Sequence, residues 1–157
     1  MFLIHSFSNT SNISFFLNFY NSISNLNILK NAYKADVGME SLPENPLPLT
    51  HLQTFDLHNN NLSSVHPMSI ERLAQLRHLN LGGNKFTHMP ASCWKFLSFL
   101  KTLDVSWNPT RVLTKESFVG LERIQELTIQ NLPDLKRFDA DSLAQLTYLK
   151  TLNIQVR

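Results

Sequence analysis

A chain of 157 residues with a hydrophobic share of 43% is long enough for one ordinary soluble domain with a sizeable core. Its formal net charge is only +2 and its basic residues form no run of five or six, so neither a nucleic acid nor an anionic membrane is favoured as a partner. The single cysteine, Cys93, excludes an internal disulfide framework and a cysteine-rich metal site. A lone cysteine fits a cytosolic protein and equally a piece of a secreted one.

The first part of the chain, residues 1–49, is a poorly patterned N-terminal segment. Residues 1–29 carry no Asp, Glu, Lys or Arg, but asparagines interrupt the apolar stretch that a secretory signal or a membrane span would need. One degenerate match to the repeat described below begins at Ile23 and puts Asn31 at its ninth position. Coincidence is the preferred interpretation of that match. The segment is therefore disordered or a degenerate first repeat, and a genuine signal or a wrong start stays open for residues 1–30.

From residue 50 the chain repeats itself. Similar segments begin at Leu52, Leu76, Leu100, Ile124 and Leu149. The first three intervals are 24 residues and the last is 25. A repeat of this length predicts a solenoid in which each unit forms one coil. We therefore assign residues 50–157 to about four and a half repeats, with the last unit truncated.

Each unit follows the pattern L-x-x-L-x-L-x-x-N-x-L, counted from its leading residue as position one. Positions four and six alternate with the period of a short strand whose apolar side chains face the core. Position nine holds an asparagine, whose carboxamide can satisfy buried backbone groups of its own turn and of the neighbouring turn. This predicts a structural ladder of Asn60, Asn84 and Asn108. Position nineteen predicts an apolar layer opposite the strands, made of Ile70, Trp94 and Phe118.

Two units depart from the pattern. In the unit that begins at Ile124, position nine is Leu132 and every later apolar residue is shifted by one. An extra residue near 131–133 explains both facts, so we expect a local bulge there and a broken ladder. The last unit stops at Arg157, before any polar cap of the kind that terminal repeats need. The chain is therefore expected to be a fragment of a longer protein.

These residues resemble the leucine-rich repeat family over about two thirds of the chain, residues 52–157. The 24-residue period with a large residue at position nineteen is similar to the typical subfamily, which includes Slit, Toll-like receptor ectodomains and chaoptin-like extracellular repeats. The resemblance implies an α/β solenoid: an arc with a short parallel concave β-sheet and a mostly irregular or short-helical convex side. It also implies that the concave sheet binds another macromolecule.

The outward positions of the strands therefore carry the candidate binding site. They form a polar, mildly acidic surface with one large aromatic side chain. The predicted partner-binding residues are Asp56, His58, His78, Asn80, Asp104, Trp107, Glu126 and Thr128. Exposed tryptophan is a frequent interface hot spot, and the alternative for Trp107 is packing against its turn or the neighbouring coil.

Other chemistry has weak support in the sequence. No Gly-rich phosphate loop or catalytic motif is visible, so we predict no enzyme, no cofactor and no small-molecule substrate. A metal site at His58 and His78 is less favoured than a solvated pair. Asp139 and Asp141 are interpreted as the cap of a short helical turn rather than a calcium site. Among the Asn-x-Ser/Thr sequons, Asn61 is the chief glycosylation candidate, and Asn9 and Asn12 lie in an Asn/Ser-rich stretch.

Three functional classes remain. The first is a protein recognition module of a secreted or cell-surface adhesion or receptor protein, attached to a membrane only through parts outside this sequence. The second is an intracellular scaffold or regulatory subunit, favoured by the absence of paired cysteines and of a clear signal. An enzyme is the third and least favoured, because no reactive site is visible.

Overall fold

The computed structural model describes residues 31–33, 38–42, 44 and 49–155. Its elements in chain order are β1 (Asn31–Tyr33), β2 (Thr54–Asp56), α1 (Pro67–Ile70), β3 (His78–Asn80), α2 (Ala91–Trp94), β4 (Thr102–Asp104), β5 (Val112–Leu113), β6 (Glu126–Gln130), β7 (Arg137–Phe138), the 3₁₀ turn η1 (Ala140–Leu143) and β8 (Thr151–Gln155). One parallel sheet has the order β1-β2-β3-β4-β6-β8, and β5 pairs with β7 in a second sheet. The predicted solenoid, with a short parallel sheet on one side and short helical turns on the other, is confirmed.

The sheet keeps the repeat register from coil to coil. Phe55 pairs with Leu79, Leu79 with Leu103, and Leu103 with Leu127, so each step is one repeat. All four side chains are buried, because strand residues at alternate positions face the same side. The strands pair in parallel because the return half of each coil brings the chain back to the same end of the sheet before the next strand begins.

The return half of each coil closes the core on the side opposite the sheet. Ile70, Trp94 and Phe118 are buried there, and the indole N–H of fully buried Trp94 donates to the Ser117 carbonyl oxygen at 2.8 Å. The helices α1 and α2 are single turns, and α1 begins at a proline in its first turn, where a missing N–H is tolerated. None of the helices among the described residues has the length and apolar content to cross a bilayer.

The asparagines expected to form the ladder are all buried at the turn after the strand. The Asn84 carboxamide oxygen accepts from the Leu62 N–H at 3.1 Å, and its nitrogen donates to the carbonyl oxygens of Leu57 and Leu81. Asn108 repeats these contacts one coil later, with Phe86 N–H as the donor at 3.1 Å. Each side chain therefore joins two successive coils and satisfies backbone groups that no water reaches.

The extra residue in the fourth unit forms a turn and not a bulge in the strand. The pairing offset is 24 residues between Thr102 and Glu126 but 25 residues between Val112 and Arg137. Between these points, the Leu135 N–H donates to the Leu132 carbonyl oxygen at 3.2 Å, which adds one tight turn. Because this turn absorbs the residue, β6 and β8 still pair along their full length. Buried Leu132 has no polar group to continue the ladder beyond Asn108.

The sheet extends into the segment 1–49. β1 pairs with β2 in the register Asn31 to Thr54, so Asn31 lies at position three of a coil and not at position nine as in the match from Ile23. The Met39 N–H donates to the Asn60 carboxamide oxygen at 3.0 Å, just as Leu62 does to Asn84 one coil later. The backbone pairing thus sets a repeat-like coil one unit before Leu52. Residues 1–30 lie outside the described part of the chain.

Candidate functional site

The outward side chains of the central strands line a shallow depression of about 240 Å³ on the sheet. We call this surface the concave face. Its outward polar residues are Thr54, Asp56, His78, Asn80, Thr102, Asp104, Glu126 and Thr128. Three carboxylates and no lysine or arginine are among these residues, so the surface is acidic and favours a cationic group on a ligand. Six of the eight predicted binding residues lie here, and the other two, His58 and Trp107, follow at the ends of their strands.

Three of the predicted binding residues also terminate their strands. At position five, the side-chain oxygens of Asp56, Asn80 and Asp104 accept from the backbone N–H two residues later, at 3.1, 2.9 and 2.8 Å. Such Asx-type bonds satisfy a donor where the strand ends. This role was not predicted, although Asp or Asn at position five of three successive units is the sequence signal for it. These bonds use one side-chain oxygen of each residue.

The two histidines each have a partner on the face. His58 Nδ1 lies 2.7 Å from Asp56 Oδ1, within the same coil. His78 Nδ1 lies 2.8 Å from Thr102 Oγ1, on the neighbouring strand. Groups of three or more metal-ligating side chains are absent from the residues that the structure describes. The hydrogen bonds to Asp56 and Thr102 therefore orient the two rings on the sheet surface.

Trp107 stands at the end of β4 with 63% of its surface exposed. Its backbone has φ +57°, and its N–H donates to the Gln130 carbonyl oxygen of the next coil at 2.8 Å. Packing against the turn, the alternative for this residue, does not bury the ring. A bulky residue in the left-handed region is an outlier that costs about 1–3 kcal/mol.

The same left-handed turn occurs at position eight in every complete unit. Asn59 has φ 51°, Gly83 has φ 66° and Asn131 has φ 51°. Glycine and asparagine are the residues that tolerate this conformation, so Trp107 is the exception in its own series. The fold alone does not account for a tryptophan there.

Two other predicted sites lie away from the concave face. Asn61 is exposed, and its backbone N–H donates to the Met39 carbonyl oxygen at 2.8 Å, so the sequon presents its carboxamide on an ordered surface. Asn9 and Asn12 fall outside the described residues. Asp139 precedes η1 as predicted, but its side chain makes no capping bond. Its carboxylate instead accepts from Arg137 Nε at 2.6 Å and Nη2 at 2.8 Å, and this hydrogen bonding raises the pKa of Arg137.

Cys93 has no role in a surface site. The thiol is buried in α2 and donates to the Val65 carbonyl oxygen at 3.4 Å. Burial raises the pKa of the Cys93 thiol to about 11. Since the thiolate is the reactive form, this side chain is inert at neutral pH.

Comparison with known sequences agrees with this geometry. The family model for the leucine rich repeat matches residues 42–86. Tsukushi of Xenopus tropicalis is 34% identical over 83 residues, 53% of this chain and 23% of that protein. Chaoptin of Drosophila melanogaster is 30% identical over 120 residues, 76% of this chain and 9% of its own length. Platelet glycoprotein Ib alpha chain of Mus musculus is 34% identical over 106 residues, 62% of this chain and 14% of that one.

Solved structures show the same fold. The chain superposes on Toll in the glycosylated Toll–Spatzle complex of Drosophila with a TM-score of 0.69. That match has 22% identity and covers 79% of this chain and 16% of the other. At this identity the likeness shows the fold alone.

The match at residues 42–86 and the solenoid fold identify the repeats of this chain as leucine-rich repeats. The relatives named above are secreted or cell-surface proteins without enzymatic activity, and they support a protein-interaction module here. The prediction that the chain is not an enzyme agrees with them. The chain spans less than a quarter of the length of each of these three relatives.

Proposed function

We propose that this chain is an extracellular recognition module that binds a protein partner through its concave face, as part of an adhesion or receptor protein. Exposed Trp107 carries the proposal. Trp107 follows three residues after Asp104, which lines the acidic depression, and its exposed ring is held on a backbone conformation that disfavours it. Local strain of this kind is retained where the side chain is needed for another purpose. Tryptophan is also the side chain most often found at the centre of binding hot spots.

The chemistry of the face defines the part of the partner that docks. Asp104 and Glu126 lie on neighbouring strands, and Asp56 lies two strands from Asp104. A partner segment with lysine or arginine side chains can pair with these carboxylates, while an adjacent apolar or cationic group packs on the Trp107 ring. The hydroxyl of Thr128 and the carboxamide of Asn80 add hydrogen-bonding groups that fix the register.

Affinity capture from a cell-surface protein fraction tests this proposal. The wild-type chain is compared with Trp107→Asn and with the double variant Asp104→Asn/Glu126→Gln. Asparagine at residue 104 removes the charge but keeps the oxygen that accepts from the Ser106 N–H, as Asn80 does in its own coil. We expect a partner that wild type retains and both variants lose. Lys115→Gln, an exposed change off this face, is the control and should retain it.

A partner retained equally by wild type and by both concave-face variants would contradict the proposal. Partners that the Lys115→Gln control also loses are discounted, because their binding depends on overall charge.

The extracellular assignment has its own test. Asn61 is exposed, and the secreted or cell-surface relatives support glycosylation there. Expression in a secretory host should add a glycan at Asn61 that Asn61→Gln removes. The alternative, an intracellular scaffold, is favoured by the single buried cysteine, which needs no oxidising compartment. A chain that is secreted unglycosylated, or that folds only in the cytosol, would favour that alternative.

A further inference from the structure

A second surface lies beside the sheet, where the strands begin. Backbone bonds join the coils here at position two. The Lys101 N–H donates to the Arg77 carbonyl oxygen at 2.8 Å, the Gln125 N–H to that of Lys101 at 2.7 Å, and the Lys150 N–H to that of Gln125 at 2.8 Å. Residues at position two are therefore direct neighbours from coil to coil. They form one row of Arg77, Lys101, Gln125 and Lys150.

A second row runs beside the first at position twenty-four. It contains Phe99, Arg123 and Tyr148, the last displaced by the extra residue in its unit. The Arg123 guanidinium carbon lies 5.1 Å from the centroid of the Phe99 ring, which positions the cation. Phe99 is 52% and Tyr148 64% exposed. Arginine and exposed aromatic rings in contact are typical of binding surfaces.

We call the four cations of these rows, Arg77, Lys101, Arg123 and Lys150, the basic flank. None of the four forms an ion pair with a residue in the described part of the chain. Glu122 and Glu126 border the rows, so positive charge is in excess. Like charges on neighbouring coils repel each other, and a bound anion would relieve that repulsion. Three coil spacings of about 4.8 Å separate the outermost cations, a span of about 14 Å.

We propose that the basic flank binds a linear sulfated polysaccharide. Three cations of the first row, together with Arg123 in the adjacent row, match a chain ligand with repeated anionic groups. Guanidinium and ammonium groups pair well with sulfate and carboxylate. The Tyr148 hydroxyl, next along the second row, is a further hydrogen-bond donor. The choice of a polysaccharide over a nucleic acid rests on the proposed extracellular function, because sulfated glycans are the polyanions of that compartment.

The basic flank and the concave face are separate surfaces of the same coils. The concave face is acidic and repels a polyanion, whereas the flank attracts one. A glycan on the flank would therefore leave the concave face open to a protein partner. The two proposals can fail independently for this reason.

Calorimetric titration with a heparin-derived oligosaccharide tests the proposal on the whole 157-residue chain. The variant Arg77→Gln/Lys101→Gln/Arg123→Gln/Lys150→Gln removes the flank. The matched control, Lys85→Gln/Arg111→Gln/Lys115→Gln/Lys136→Gln, removes the same number of exposed charges elsewhere. We expect the flank variant to bind at least about tenfold more weakly at physiological salt, and the control to change affinity by less than about threefold. The slope of the logarithm of the association constant against the logarithm of the salt concentration is negative, and its magnitude should decrease by roughly 3 in the flank variant.

Circular dichroism should show equal melting of all three proteins, because none of the changed side chains is buried. If the fourfold variant does not fold, Arg77→Gln/Lys150→Gln should lower the salt slope by about half as much. Trp107→Asn should bind the oligosaccharide as wild type does, which separates this result from the proposed function.

Three results would overturn the proposal. One is the lack of oligosaccharide binding by the wild-type chain. Another is an equal loss of affinity in the flank variant and the matched control. The last is tighter binding of a single-stranded DNA of the same charge than of the oligosaccharide.

Discussion

The Asn84 side chain donates to the carbonyl oxygen of Leu57, 27 residues earlier, at 2.9 Å. The same carboxamide nitrogen donates to Leu81 in its own coil at 3.0 Å. One buried side chain thus ties two coils together at the point where both leave the sheet. Since each coil of a solenoid contacts only its neighbours, such ties hold the stack together.

We expect Asn84→Ala to lower the free energy of unfolding by about 1–3 kcal/mol. The alanine leaves the Leu62 N–H and the carbonyl oxygens of Leu57 and Leu81 without this partner in a buried region. Urea denaturation followed by circular dichroism measures the change.

The control for Asn84→Ala is Asn59→Gly. Asn59 is an exposed residue in the turn after β2, one coil before the turn that contains Asn84. Glycine keeps the left-handed backbone of residue 59 at a cost of at most about 1 kcal/mol. Equal urea midpoints for the two variants would refute the ladder as a source of stability.

Gly83→Ala should also destabilise the fold, by roughly 1–2 kcal/mol from the backbone and more from a steric clash. Gly83 has φ +66°, and an added Cβ would collide with the side-chain oxygen of Asn59 in the preceding coil. The double variant Gly83→Ala/Asn59→Gly removes the colliding side chain, so its loss should be smaller than the sum of the two single losses. A double-mutant cycle measures this coupling, and strictly additive losses would argue against contact between these positions.

The coils, the core and the ladder asparagines could be predicted from the sequence because their residues recur at fixed positions. The turn at 132–135 was recognised as an extra residue, but its geometry depends on local backbone bonds that periodicity does not encode. The left-handed turn at position eight was missed because Trp107 hides a series otherwise filled by Asn59, Gly83 and Asn131. The basic flank was missed because its cations lie far apart in the sequence and meet only when positions two and twenty-four are compared across coils.

Cys93 makes the free energy of unfolding depend on pH in the alkaline range. Burial raises the pKa of its thiol from 9.0 to about 11 in the folded chain. Above pH 9 the unfolded chain loses this proton first, so the stabilisation falls as pH rises from about 9 to 11, by on the order of 2 kcal/mol. Urea denaturation across this range should show a flatter profile for Cys93→Ala than for wild type. Identical slopes for the two proteins would contradict the assignment.

Trp107→Asn should leave the free energy of unfolding unchanged or raise it by up to about 1 kcal/mol, because asparagine tolerates the left-handed backbone better. Trp94→Phe should instead lower it by roughly 2–4 kcal/mol, since the buried indole fills the core and bonds to the Ser117 carbonyl oxygen. Thermal unfolding compares the two. A large loss in the Trp107→Asn variant would show that this ring supports the fold.

Acrylamide quenching of tryptophan fluorescence tests the central proposal, that the concave face with Trp107 at its edge binds a protein partner. Trp94 and Trp107 are the two tryptophans of the chain, one fully buried and one 63% exposed, so quenching of the free chain reports chiefly on Trp107. When the captured partner is added, we expect Trp107 to become protected and its emission to shift to shorter wavelength. Unchanged quenching in a complex that co-elutes as a single species, with a partner free of tryptophan, would contradict the account.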